Sequence, residues 1–385
     1  MTTSPLTILL VGDYPDDPRL GSPKVFYKLR EEFAALGHAC DILWSADIGR
    51  RPAARQVRQL VSPWMAGKAI VRQMDRRRYD VVDVASAEGL FLGLFALIPD
   101  RDRAAFVCRS NGLEQLNYAR MLDDHREGLR RKSWIRRIWY PASRLTQVAA
   151  AARLADGLLV LNDIDRAYAM DQGWQPPERV TVVPHGISAR FLAGAPAPDA
   201  PRGGGLLFCG TWDHVKGITY LCDATNRLHA AGNPVRLTVL GPGVPREIVL
   251  AGFDPVVRPH VTVIDRVEED RVMTEYRRHD ALLWTSSYEG FGLVLLEAMS
   301  QRLPVIATPA GCAATLVRDG ETGYRVSPRD AGALVAAIAR LQDNPREARQ
   351  LADNAHTAVE GMTWRATAER TLDVYRAAMA VRSRR

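Results

Sequence analysis

The sequence predicts an α/β protein made of two Rossmann-like domains that face each other across a cleft. Short apolar runs alternate with longer amphipathic stretches, which is typical of parallel sheets covered by helices on both faces. The alternation stops once, at the Pro-, Ala- and Gly-rich stretch LAGAPAPDAPRGGG, and then starts again. We therefore expect domains at 1–192 and 205–362, a linker at 193–204, and a C-terminal helix at 363–385 that packs back on the first domain.

Each predicted element corresponds to one run of residues, taken here in chain order. The first domain begins with the strand TILLVGDY, a helix through VFYKLREEFAALGH and the strand ACDILW, and continues with the strands YDVVDVAS, AAFVCRS and GLLVLN. After the linker the predicted strands are GLLFCGTW, VRLTVLGPG, HVTVIDR, ALLWTSS, LPVIATP and TGYRVS, followed by the amphipathic helix WRATAERTLDVYRAAMAVR. Ligands of open α/β sheets bind at the carboxyl ends of the strands, so we expect the site between the domains.

The composition is that of an ordinary globular protein, with 47% hydrophobic and 25% charged residues in a chain of 385. No apolar run approaches the roughly 18 residues of a membrane-spanning helix. The N-terminal MTTSPLTILLVGDYP indicates a buried first strand and not a signal peptide. The five cysteines are scattered without a C-x-x-C pair, which predicts neither a disulfide framework nor a zinc site. We expect a cytoplasmic protein.

Two segments of the first domain, 49–80 and 126–144, are rich in arginine and lysine, in a chain whose net charge is +7. The second segment interleaves apolar and aromatic residues with the cations, as helices that lie in a membrane interface do; these are Ile135, Ile138, Trp139 and Tyr140. The segments either contact an anionic membrane peripherally at its inner face, or form a solvated helix face or a lid loop. No recognition motif supports nucleic-acid binding.

A glycine-containing turn in the second domain predicts an anion site. The stretch ALLWTSSYEGFGLVLLEAM has a strand, a loop and a helix in order, and Gly290 and Gly292 allow a ligand to approach the backbone. The N–H groups of Phe291, Gly292 and Leu293 would open the helix and face a phosphate, helped by the helix dipole.

Two charged residues add to this anion site. If the helix begins near Phe291, Glu297 lies ~9 Å along its axis, which suits a ribose attached to a bound diphosphate. An isolated carboxylate in the apolar run LVLLEAM needs a partner, and the alternative to a ribose is pairing with Arg266. In GTWDHVKG, Lys216 would act as a point charge against a phosphate leaving group.

Together these residues resemble the family-four retaining glycosyltransferases of GT-B fold. The motifs are PHGISARF, GTWDHVKG, the E-x7-E of Glu289 and Glu297 around GFG, and PVIATPAGCAATLVRDGETGYRV. GLEQ (112–115) and FAALGHACDIL (33–43) look like the N-terminal landmarks of that family. The resemblance covers nearly the whole chain.

The resemblance implies a role for each matching residue. Glu289 would contact the donor sugar, Glu297 the nucleotide ribose and Lys216 the β-phosphate, while the diphosphate would be held by the amides of Phe291, Gly292 and Leu293. It also implies a reaction without a metal or another cofactor, in which the leaving phosphate helps to deprotonate the acceptor. The sequence itself offers no Asp-x-Asp-like pair for a metal and no nucleophile facing the site.

The sequence departs from the family pattern in three places. Thr211 stands where the family has an arginine that partners the lysine, so Arg266 or His214 would replace it. Asn111 stands where a histidine precedes Gly-Leu-Glu, and it can donate a hydrogen bond but cannot titrate. The glycine-glycine acceptor loop is represented by LGSPK, whose acceptor-side residues are Gly21, Ser22 and Lys24.

The sequence thus predicts transfer of a sugar from a nucleoside diphosphate sugar to a hydroxyl acceptor, either a glycan or a lipid-linked glycan. The alternatives are a sugar-nucleotide epimerase on the same fold, or a sugar-nucleotide-binding and membrane-docking protein that has lost catalysis. A glycosidase pair is disfavoured because Glu289 and Glu297 would lie on one side of the ligand. A nicotinamide dehydrogenase is disfavoured because VGDYPDDPRLG lacks G-x-G-x-x-G.

Overall fold

A computed structural model of the chain describes residues 4–49, 52–95, 104–128 and 134–384. Parts of both basic segments, residues 50–51 and 129–133, lie outside these ranges. The chain divides into two compact units. The first unit comprises Met1–Leu116, Arg131–Gly186 and Trp364–Arg385, and the second comprises Asn117–Arg130 and Ile187–Thr363.

The first unit holds a six-stranded sheet with the order β2-β1-β3-β4-β5-β6, and all its strand pairs are parallel. Its strands are β1 Thr7–Val11, β2 Ala39–Leu43, β3 Val81–Ala85, β4 Ala105–Arg109, β5 Gly157–Val160 and β6 Val180–Val182. The helices that begin in its residues are α1 Gly21–Ala35, α2 Ser45–Ile48, α3 Arg55–Met74, α4 Leu90–Phe95, α5 Glu114–Arg126, α6 Trp134–Tyr140, α7 Thr146–Leu154 and α8 Asp163–Asp171. One π-helical turn, Pro141–Leu145, joins α6 to α7.

The second unit holds another six-stranded parallel sheet, with the order β12-β11-β10-β7-β8-β9. Its strands are β7 Leu206–Cys209, β8 Leu237–Leu240, β9 Val261–Ile264, β10 Ala281–Trp284, β11 Val305–Ala307 and β12 Tyr324–Arg325. Its helices are α9 Ala189–Ala193, α10 Ile218–Ala230, α11 Arg246–Leu250, α12 Glu269–Arg278, α13 Leu293–Ser300, α14 Ala313–Leu316, α15 Ala331–Asp343 and α16 Pro345–Val359. Each sheet buries its own apolar core.

The last helix, α17 Trp364–Arg382, belongs to the first unit although it follows the second in the chain. It contributes Tyr375, whose hydroxyl donates to Asp83 Oδ2 at 2.5 Å in the middle of the sheet. Arg109 on the neighbouring strand donates to the same oxygen at 2.6 Å, and both charged side chains are almost fully buried. Burial of a carboxylate at this depth requires such partners, so α17 completes the interior of the first unit.

The predicted α/β architecture with two parallel-sheet domains is confirmed. Each sheet has one point where the strand order reverses, between β1 and β3 in the first unit and between β7 and β10 in the second. Connections leave such a point in opposite directions and open a crevice at the carboxyl ends of the two strands, where ligands bind. Within the described ranges, no helix is long and apolar enough to span a bilayer.

Candidate functional site

Two loops of the second unit lie at its reversal point and are bonded to each other. The loop after β7 runs to Gly217, and the loop after β10 begins at Thr285. The Thr285 hydroxyl donates to the carbonyl of Lys216 at 2.7 Å, and the Ser287 amide donates to the carbonyl of Val215 at 2.8 Å. The two loops are therefore held in register with each other.

Gly217 explains why a glycine follows the lysine. Its φ is 73°, in the left-handed region, and a Cβ there would lie 2.0 Å from the carbonyl oxygen of Thr285. No other residue fits this position without moving the loop that follows β10. The Lys-Gly step thus fixes the backbone that carries the Lys216 side chain.

Gly292 is the N-cap of α13 and has a φ of 109°. A Cβ at this position would lie 2.7 Å from the ring of Trp284 at the end of β10. A residue with this backbone conformation cannot be part of the helix, so the predicted start near Phe291 is wrong and α13 begins at Leu293. Glu297 is accordingly about 6 Å along the helix axis and not ~9 Å.

Lys216 and Glu289 form an ion pair at the meeting point of the two loops. The lysine Nζ lies 2.6 Å from Oε1 of Glu289, and 5.8 Å from the centre of the Trp284 ring. The two side chains are 21% and 17% exposed, so they are sheltered but accessible to a ligand. The structure therefore brings together the two residues predicted to bind the phosphate and the sugar of a donor. Gly290 and Phe291 follow Glu289 directly in the turn that leads into α13.

Glu297 is buried, with 8% of its surface exposed, and the Tyr276 hydroxyl donates to its Oε2 at 3.2 Å. Burial, and then the nearby Cys209 and Glu297, raise the pKa of Tyr276 well above its usual value, so this hydroxyl stays protonated. The suggested pairing partner Arg266 is exposed, and its guanidinium lies beside Gly243, 3.4 Å from the position of a Cβ there.

The other predicted donor residues lie in the same loops. Thr211 is exposed and follows Gly210 after β7, where its carbonyl accepts from the amide of Asp213 at 3.0 Å. His214 Nδ1 lies 3.2 Å from the hydroxyl of Thr219.

The predicted catalytic Asn111 and the acceptor-side residues lie in the first unit. The Asn111 side chain donates to the hydroxyl of Tyr14 at 2.8 Å. Burial, and then Glu88, raise the pKa of Tyr14 above its usual value, so it also remains a neutral hydroxyl. The acceptor-side residues form the first turn of α1 and are Gly21, Ser22 and Lys24.

A polar cavity of about 260 Å³ in the first unit was not predicted from the sequence. Arg144 joins two of its carboxylates, with Nη1 2.8 Å from Glu88 and Nη2 2.9 Å from Glu114. The Ser62 hydroxyl lies 3.1 Å from Asp13 Oδ2. Burial alone would raise the pKa of Glu114, but the Arg144 charge and its hydrogen bonds outweigh burial and lower it.

The lining of this cavity explains why sequence patterns missed it. Asp13 and Tyr14 follow β1, Ser86 and Glu88 follow β3, and the remaining residues come from α3, α5 and the π-helical turn. These positions share no spacing that a motif search would detect. The available signals were Glu114 within GLEQ and Arg144 at the end of a basic segment.

Comparison with known proteins relates both units to one class. A family model described as "Glycosyltransferase Family 4" matches residues 21–191, and one described as "Glycosyl transferases group 1" matches residues 203–344. The chain is 30% identical over 257 residues to MMP α-(1→4)-mannosyltransferase of Mycolicibacterium hassiacum, covering 65% of this chain and 60% of that protein. The chain thus spans less than two thirds of the length of this relative.

Solved structures share the fold over nearly the whole chain. Sucrose-phosphate synthase of Thermosynechococcus elongatus superposes with a TM-score of 0.78 at 21% identity, over 97% of this chain and 99% of that chain. HepE of Anabaena, solved in complex with UDP, superposes with a TM-score of 0.66 at 16% identity, over 96% of this chain and 99% of that chain. Fold, motifs and family matches agree, and the chain belongs to the family-four glycosyltransferases of GT-B fold.

Proposed function

We propose that the protein transfers a sugar from a nucleoside diphosphate sugar to a hydroxyl acceptor, with retention at the anomeric carbon. The observation that carries this proposal is the Lys216–Glu289 pair, held beside the amide end of α13 at the reversal point of the second sheet. Support also comes from the transferase names of the relatives and from the UDP bound to a protein of the same fold. Retention rests on the family alone.

Each charged group has a task in this mechanism. Lys216 and the first amides of α13 stabilise the diphosphate as the bond from its oxygen to the anomeric carbon breaks. The acceptor oxygen forms the new bond to that carbon, and the acceptor proton passes to the departing phosphate. Glu289 accepts hydrogen bonds from the donor sugar and Glu297 from the ribose hydroxyls, which orients the anomeric carbon.

We propose that this chemistry needs no metal ion, because Lys216 and the backbone amides supply the positive charge. The described ranges contain no group of three or more His, Cys, Asp or Glu side chains arranged to hold a metal.

The acceptor in this proposal is a glycan or a lipid-linked glycan at the cytoplasmic side of a membrane. The basic segments 49–80 and 126–144 make peripheral contact with that membrane. An epimerase or a lapsed binding protein would use a similar donor site, but the named relatives in the comparison are transferases.

The experiment that tests the donor site is thermal unfolding of the protein with UDP, GDP, ADP, CMP or dTDP, each with and without magnesium. We expect one diphosphate to raise Tm, because it binds the folded state and not the unfolded state. The rise should be the same with and without magnesium, because Lys216 and the backbone amides supply the positive charge. A shift that appears only with magnesium would contradict the metal-free mechanism. No shift with any of the five would contradict the donor site.

A further inference from the structure

One face of α3 exposes a stripe of apolar side chains. The stripe consists of Val57, Leu60, Trp64 and Val71. Successive members are three, four and seven positions apart, so they lie on one side of the helix over about 21 Å of its length. They are 40% to 48% exposed. The opposite side of the helix, with Ala66, Ala69 and Ile70, is buried in the first unit.

The apolar exposure is concentrated in one part of the molecule. Among described residues, ten large apolar side chains are exposed, and seven of them lie on α3, α4 and α6. On α6, Ile138 is 65% exposed and Trp139 is 38% exposed. Single exposed apolar side chains are ordinary, but a cluster of this kind marks a binding surface.

The charge of the same elements indicates the partner. The sequence of α3 contains three arginines and one lysine and no acidic residue, and that of α6 contains two arginines and no acidic residue. The Lys68 ammonium lies 4.0 Å from the centre of the Trp64 ring, within the stripe. Apolar and indole groups between cations, without carboxylates, suit a bilayer that carries anionic lipids.

The helix α3 and the π-helical turn that follows α6 also line the polar cavity of the first unit. Arg58, Gln59 and Ser62 of α3 contribute to its wall. Tyr140 ends α6 and donates to Glu114 at 2.8 Å, and the π-helical turn that follows carries Arg144 into the cavity. The helix α3 therefore carries the exposed stripe on one side and part of the cavity wall on the other, and α6 leads into the cavity through the π-helical turn. Turns of this kind are frequent at functional sites.

We propose that the face formed by α3 and α6 docks on an anionic lipid bilayer and places the cavity at the membrane surface, where it receives the uncharged, hydroxyl-bearing head of a lipid-anchored acceptor. The choice of head group rests on the proposed transfer function. The cavity lining has the carboxylates of Asp13, Glu88 and Glu114 against two guanidinium groups, and Arg144 is engaged by two of these carboxylates. Carboxylates accept hydrogen bonds from hydroxyls and repel phosphates.

The docking surface is tested by co-sedimentation of the full chain with vesicles of phosphatidylcholine, with and without phosphatidylglycerol. We expect binding to the anionic vesicles alone, fading as salt is added. The double variant Leu60→Glu/Trp64→Glu should bind the vesicles at least tenfold more weakly. It removes two apolar side chains that would insert into the bilayer and adds two carboxylates that the anionic lipids repel. The matched control Ile248→Glu/Val256→Glu changes two exposed apolar residues of the second unit and should bind as the wild type does.

Equal binding to neutral vesicles, or equal losses in the two double variants, would overturn the proposal. Absence of binding together with a concentration-dependent dimer that Leu60→Glu/Trp64→Glu abolishes would assign the stripe to a second copy of the chain and would also overturn it. Nucleotide-induced changes in Tm are measured without vesicles, so a failure of the donor site is seen separately.

Placement of the cavity is tested by amide hydrogen exchange with and without anionic vesicles. We expect slower exchange in α3 and in residues 134–145, and unchanged exchange in α16. Protection of α3 without any change in 134–145 would show that the bilayer does not reach the element that carries Arg144. That result would overturn the link between docking and the cavity.

Discussion

Each unit has a crevice at the reversal point of its own sheet, and the two crevices are built in opposite ways. In the second unit, the reversal point between β7 and β10 is built from backbone: Gly217 and Gly292 in left-handed conformations, and two loops bonded through their carbonyls. In the first unit, the reversal point between β1 and β3 is built from side chains that a single arginine joins. We infer that the crevice of the second unit, built from backbone, is rigid and suited to a phosphate. The crevice of the first unit, built from side chains, can change its specificity when those side chains change.

The largest expected effect is on the free energy of unfolding, and it arises from the Arg144 network of the first unit. Arg144→Ala leaves the buried Glu88 and the half-buried Glu114 without their cation, and breaking a buried pair costs about 3–5 kcal/mol. Urea unfolding should show this loss in the free energy of unfolding. Arg126→Ala removes an arginine that is 74% exposed and should change it by less than about 1 kcal/mol. Similar values for the two variants would show that the network of the first unit is not structural.

Lys216→Ala should act more on rate than on stability. Loss of one charge-stabilising donor lowers kcat by about a hundredfold or more. The lysine is 21% exposed and pairs with one carboxylate, whereas Arg144 is 13% exposed and pairs with two, so the free energy of unfolding should fall less than in Arg144→Ala. The exposed Arg349→Ala of α16 serves as the control for kcat in a sugar-transfer assay. A Lys216→Ala enzyme that keeps the wild-type kcat would remove the lysine from the mechanism.

Gly292→Ala tests whether nucleotide binding by the second unit depends on the backbone conformation of this glycine. The substitution places a Cβ against the Trp284 ring in a left-handed conformation, and strain with overpacking costs about 2 kcal/mol. We expect lower Tm and weaker nucleotide binding by calorimetry. Gly361→Ala, with nothing within 4 Å of the added Cβ, is the matched control. Unchanged nucleotide affinity in Gly292→Ala would place the diphosphate elsewhere.

Glu297→Ala should give the smallest change. Losing the hydrogen bonds between the Glu297 side chain and the ribose weakens nucleotide binding by roughly tenfold. Calorimetry with the nucleotide that shifts Tm measures this effect, and Glu321→Ala changes an exposed glutamate of the same unit as its control. If both variants bind the nucleotide equally, the ribose assignment is refuted.

The sequence predicted the second site well because its parts are contiguous. Lys216 with Gly217, and Glu289 through Glu297, each lie within one strand-loop-helix turn, so spacing along the chain translates directly into spacing in space. The start of α13 was misplaced by two residues because Gly292 is held in a left-handed conformation against the Trp284 ring, and the helical pattern of the sequence does not reveal this tertiary contact.

The first site could not be predicted because its members are brought together by topology. Asp13, Ser62, Glu88, Glu114 and Arg144 lie far apart in the chain and meet only when β1 and β3 are adjacent. Arg144 was interpreted as part of a basic surface segment, since a lone arginine carries no sign of the carboxylates it will bind. Eleven of the twelve strands in the described ranges were predicted, because apolar runs of that length are local signals. The strand β6, Val180–Val182, has only three residues and was not among the predicted strands.

The position of α17 has a consequence for the synthesis of the protein on the ribosome. Residues 187–363 emerge before α17, and domains generally fold as units while the chain is being made. Until Tyr375 has emerged, Asp83 lacks the hydroxyl that it accepts from in the finished sheet. The unit that comes first in the sequence is therefore completed last. Its interior stays incomplete until Ile187–Thr363 of the second unit has been translated.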